Sequence, residues 1–92
     1  MELNRLLAVL YANKRVEQVI LYGSRARGTH HKYSDIDIAL VGPSLGIQDL
    51  ATLDMQMEDL YMPYKVDLCA YHRITNPALL QSIDTEGKPL VR

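Results

Sequence analysis

Gly23-Ser24 stands ahead of Asp35-Ile36-Asp37, and a further aspartate, Asp67, lies in a later apolar run, Val66-Asp67-Leu68-Cys69-Ala70. A Gly-Ser pair after a strand suits phosphate. Glycine lets an anion approach without a Cβ in the way, and backbone N–H groups with the Ser24 hydroxyl are good donors to it. On a strand, Asp35 and Asp37 share one face, about 7 Å apart. They repel one another unless a cation lies between them. Oxygen ligands without His or Cys suit Mg²⁺ or Mn²⁺ rather than Zn²⁺. With Asp67 as third ligand, such a set can hold two ions that clamp the attacking and leaving oxygens of an in-line displacement. The pattern therefore points to metal-assisted phosphoryl or nucleotidyl transfer.

Each part has a plainer reading. Asp-x-Asp alone is a capped turn followed by a solvent-facing acid. Asp67 alone is an edge residue paired with Lys65, and Ser24 alone is a helix N-cap. The combination outweighs these readings, because an unpaired carboxylate in an apolar strand is costly. Arg25 and Arg27 are candidates to contact the phosphates. Two apart on a short turn, they cannot face the same way, so one of them is structural or at the surface. His30 and His31 are adjacent and point apart, which makes a poor metal pair. Tyr33 reads as packing or as a stacking partner for a base. Cys69 reads as a strand residue without an activating neighbour.

The elements that must position these residues follow from periodicity. Leu3, Leu6, Leu7, Leu10 and Tyr11 form a helical stripe over 2–12. Residues 16–22 read as a buried strand, 25–27 as a helical turn stopped by Gly28, and 35–41 as a second strand. A helix is expected over 47–61, ended by Pro63, with a third strand over 66–71. Asn76-Pro77 opens a last helix, closed by Gly87, in which Leu79, Leu80 and Ile83 face the core. Residues 90–92 are an edge strand or a frayed end. The order predicts one α/β (α+β) domain spanning 1–92, a small mixed β-sheet with helices packed mainly on one face.

Composition sets the remaining bounds. The chain has 92 residues, 48% of them hydrophobic and 23% charged, as expected of a folded soluble domain. So small a domain has a thin core, and a partner or a homo-oligomer is an expected source of further stability. A net charge of −1 argues against general nucleic-acid binding. A single cysteine excludes an internal disulfide and fits a cytoplasmic setting. No apolar run approaches a membrane span, and the start of the chain lacks a signal peptide's features.

Gly23-Ser24-Arg25-Ala26-Arg27-Gly28, followed by Ser34-Asp35-Ile36-Asp37-Ile38-Ala39-Leu40 and Asp67, resembles the polymerase-β-like nucleotidyltransferase superfamily, and within it the minimal nucleotidyltransferase (MNT) branch. The resemblance covers essentially the whole chain. It implies two Mg²⁺ ions on Asp35, Asp37 and Asp67, and ATP held at Gly23 and Ser24. It implies transfer of a nucleoside monophosphate, commonly AMP, to a hydroxyl with release of pyrophosphate. Minimal members commonly pair with an all-helical HEPN protein, in several cases a toxin silenced by adenylylation of a tyrosine. Read as one domain, the chain is expected to lack a second domain to bind an acceptor, which favours one supplied by a partner protein. Two alternatives follow from the same residues: an antitoxin that blocks its partner sterically, and a transferase acting on a small molecule such as an antibiotic.

Overall fold

The computed structural model describes residues 3–32 and 34–91. Helix α1 covers Asn4–Ala12, strand β1 Gln18–Tyr22 and the short helix α2 Ser24–Arg27. Strand β2 covers Ile36–Val41, helix α3 Ile47–Glu58 and strand β3 Val66–Ala70. A 3₁₀ turn over Tyr71–Arg73 leads to helix α4, Pro77–Glu86, and strand β4, Lys88–Leu90.

The four strands form one mixed sheet in the order β3-β2-β1-β4. β1 runs antiparallel to β2 and β4, whereas β2 and β3 run parallel. The parallel pair needs a crossover, and α3 supplies it. Val19 and Leu21 of β1 with Ile36, Ile38 and Leu40 of β2 make a buried face against Leu6, Leu7 and Leu10 of α1 and Leu53 and Met57 of α3. Alternation along the strands then sends Tyr22, Asp37 and Asp67 to the opposite face. On that side α4 packs over β1, with Ile83 buried.

The expected elements are present, with local differences. α1 begins at Asn4 (residues 1–2, part of the expected helix, lie outside the described residues). β1 is shorter at its start, yet Glu17 N–H still donates to Val41 O at 2.7 Å. α3 ends at Glu58 rather than near Tyr61, because the chain turns through Tyr61 at φ 51° before Pro63. Asn76 caps α4 as expected, its Oδ1 accepting from the N–H of Ala78 at 2.9 Å and of Leu79 at 3.4 Å. Leu79 and Leu80 are only half-buried, leaving Ile83 as that helix's buried anchor. The end of the chain does form an edge strand, but it starts at Lys88; Arg92, expected within it, is outside the described residues.

Candidate active site

Asp37 and Asp67 are cross-strand partners in the parallel β2–β3 pair. On the other side of Asp37, its antiparallel partner in β1 is Tyr22. Directly opposed residues share a face, so Tyr22, Asp37 and Asp67 form one row across the sheet. Asp35, expected to open the second strand, instead precedes β2 by one residue and is exposed. Burial raises the Asp37 carboxyl above the ordinary aspartate range, and the charges of Asp67 and Asp35 add to the rise. Arg27 opposes it. Asp37 is thus close enough to feel both of the other carboxylates.

Asp67 keeps its plainer place, at the sheet edge beside Lys65, and is also the strand partner of Asp37. It is 43% exposed, and its Oδ1 lies 3.4 Å from Lys65 Nζ. Among the described residues no group of three His, Cys, Asp or Glu side chains is gathered tightly enough to hold a metal ion as it stands. The chemistry of the donor set nevertheless fits a hard divalent cation: it is all carboxylate, and its central member is disfavoured as an anion by burial and then by like charge.

The Gly-Ser turn sits directly over this row. Gly23 has φ 75° and ψ −154°, and a Cβ there would collide with Asp37 Oδ2. Glycine is required on both counts. Gly23, not Ser24, is the N-cap of α2. Ser24 is the first helical residue and makes no side-chain cap, which corrects the expected N-cap role. Its carbonyl accepts from Thr29 N–H at 3.0 Å, and Gly28 ends the helix in the left-handed conformation at φ 77°.

The two arginines separate as helical geometry requires. Arg25 is 8% exposed. Its Nε and Nη2 donate to Ser34 O at 3.1 and 2.8 Å, and Nη2 also reaches Lys32 O at 3.3 Å. Its guanidinium lies 4.8 Å from the centroid of the Tyr64 ring. Arg25 therefore pins the segment leading into Asp35, and this placement does not support a phosphate contact for it. Arg27 is 45% exposed, 3.6 Å from Glu86 Oε2, and near enough to Asp37 to lower its proton affinity. His30 and His31 are exposed; Tyr33 lies outside the described residues.

Tyr22 and Cys69 went unnoticed in the sequence as members of the site. Tyr22 Oη and Cys69 Sγ share a hydrogen bond at 3.5 Å beside the acid pair. Burial first, then this bond, holds the phenol far above its usual range. Burial likewise pushes the Cys69 thiol up, against the effect of the Tyr22 hydrogen bond, so it is no thiolate nucleophile. The signal was available: strand alternation puts Cys69 on the face of Asp67.

The sequence profile described as Polymerase beta, Nucleotidyltransferase matches residues 4–92. A crystal structure of a toxin–antitoxin with AMP-PNP shares 28% identity and superposes with a TM-score of 0.81, covering 99% of this chain and 73% of that one. A minimal nucleotidyltransferase structure shares 29% identity at a TM-score of 0.70, covering 98% and 97% of the two chains. A tri-AMPylated Shewanella oneidensis HEPN toxin in complex with an MNT antitoxin gives a likeness of fold, with 24% identity, a TM-score of 0.71, and 96% and 67% covered. No curated protein matches the chain.

Proposed function

The chain belongs to the polymerase-β nucleotidyltransferase family, and from that premise we propose that it transfers AMP from ATP to a tyrosine hydroxyl of an all-helical HEPN toxin, acting as the antitoxin. The observation that carries this reading is the packing of the Gly23 turn against Asp37, with Asp67 as the strand partner of Asp37. It joins a phosphate-sized cradle to the acids that an in-line displacement needs. The AMP-PNP bound by one structural neighbour and the AMPylated toxin held by another motivate the choice of nucleotide and acceptor.

In this reading Asp35, Asp37 and Asp67 would hold two Mg²⁺ ions. Bound there, the ions supply Lewis-acid stabilisation of the entering and departing oxygens. The amide at Gly23 and the Ser24 amide and hydroxyl bind the triphosphate, and Arg27 offsets its charge. The acceptor oxygen attacks the α-phosphorus, and the bond from that phosphorus to the bridging oxygen of pyrophosphate breaks. Asp67 takes the hydroxyl proton, and pyrophosphate leaves with its electron pair. Fixing both reactants in line is the main service of the scaffold.

The test uses α-labelled ATP, Mg²⁺ and a co-encoded HEPN protein. Label should appear on a tyrosine of the partner, located by mass spectrometry, and its toxicity should fall with labelling. Full neutralisation by an Asp35→Asn variant that transfers no label would instead establish steric blocking. Transfer to an aminoglycoside with no partner present would establish the small-molecule reading.

A further inference from the structure

Among the described residues, β3 lies at one edge of the sheet and has a strand neighbour on one side only. Ile36 N–H donates to Lys65 O at 2.8 Å. In a parallel ladder, successive residues of a strand turn their backbone groups to opposite sides. Lys65 and Asp67 therefore bond toward β2, and the N–H and C=O of Val66 and Leu68 face outward. Along this edge runs a groove of about 680 Å³, walled by the C-terminal end of α3 and residues 61–65. Met57, Met62 and Leu68 contribute apolar lining, and Asp67 also lines it. Asp54, Glu58 and Asp67 set three carboxylates on it against one ammonium, Lys65, already drawn to Asp67. Tyr61, which also lines the groove, is 89% exposed and in the left-handed backbone region, presenting an aromatic ring to solvent.

We infer that this groove binds an extended, basic segment of the acceptor protein, laid along the open edge of β3 and delivering its hydroxyl to Asp67. Backbone pairing to Val66 and Leu68 fixes the segment's line, as in other strand additions at a sheet edge. Asp54 and Glu58 select lysine and arginine, and the Tyr61 face suits an arginine guanidinium. The segment then meets the acid row at Asp67. This inference rests on the reading of the chain as a transferase to a protein hydroxyl.

The probe is a short fluorescein-labelled peptide with a central tyrosine flanked by lysine and arginine, against a twin carrying glutamate at the flanking positions. Anisotropy without ATP should show saturable binding of the basic peptide and none of the acidic one. Asp54→Lys combined with Glu58→Lys, two exposed helix positions outside the acid row, should weaken binding at least about tenfold, as expected for losing partly screened charge pairs. In the wild-type chain, the basic peptide should slow hydrogen exchange at the amides of Val66 and Leu68. That readout stands whether or not the charge variant folds. Equal affinity for the two peptides, no binding of the basic one, or unprotected Val66 and Leu68 amides would overturn the inference. So would a wild-type dimer that the double variant dissociates, since the occupant would then be a second copy. Asp35→Asn should stop transfer and leave peptide binding intact, so the groove and the chemistry fail separately.

Discussion

Gly23 and Asp37 touch: a side chain of any size on Gly23 would occupy the space of the Asp37 carboxylate. The phosphate turn and the central acid are thus one unit, although they are well separated along the chain. Gly23→Ala should cost stability twice, through the positive φ of 75° and through the displaced carboxylate. We expect a loss of roughly 1–3 kcal/mol with transfer reduced to background, read by thermal melting and label transfer.

Asp37→Asn should remove activity and raise stability. The folded-state carboxyl of Asp37 is raised, first by burial and then by Asp67 and Asp35. A raised carboxyl favours the fold when protonated. That contribution is present below the unfolded value and is lost as pH rises through the folded one. At neutral pH the ionised Asp37 is therefore a cost. Its amide replacement should melt slightly higher, by a margin that solvent screening of this half-buried carboxyl keeps small. The difference between variant and wild type should shrink on acidification, and a pH series of melting curves checks the sign.

Magnesium should bind the nucleotide-free chain and stabilise it. At ten times the dissociation constant the gain is about 1.4 kcal/mol. A chelator should abolish both the gain and the transfer. Asp37→Asn should show little of the gain, because the repulsion that the cation relieves is already gone. Calorimetry with MgCl₂ on both proteins measures it.

Arg25→Met keeps the apolar stem but removes the donors to Ser34 O and Lys32 O and the cation over Tyr64. Charge-assisted bonds of a buried arginine are worth about 1–3 kcal/mol, and their loss leaves carbonyls unpaired. Arg25→Lys should recover only part of this, since an ammonium cannot fork. Transfer should fall with the loosened approach to Asp35, while Arg27→Met should weaken ATP binding at nearly unchanged stability. Melting curves and the KM for ATP separate the two.

The order of helices and strands was legible because burial is periodic. Leu6, Leu7 and Leu10 mark one face of α1, and Ile36, Ile38 and Leu40 mark one face of β2. Where burial and backbone part company, the reading slipped. Leu60 still packs against the core after α3 has ended, so its spacing extended the expected helix too far. Ser24 has the chemistry of an N-cap, but the close approach of Asp37 puts glycine there instead. Arg25 is held by Ser34 O and Lys32 O and also by the Tyr64 ring, and this last contact is made only by the tertiary fold. The pairing of Asp37 with Asp67 and Tyr22 was not legible, because register is set by how the strands pair.

The most direct measurement compares single-turnover AMP transfer by Asp37→Asn, Asp67→Asn and the double variant against wild type. Groups that act as one unit are not additive. Each single substitution should therefore lower the rate about as far as the double one, roughly 10³-fold or more. Transfer by Asp67→Asn at a rate near that of wild type would contradict the account, because the edge-strand aspartate would then be no part of the reaction.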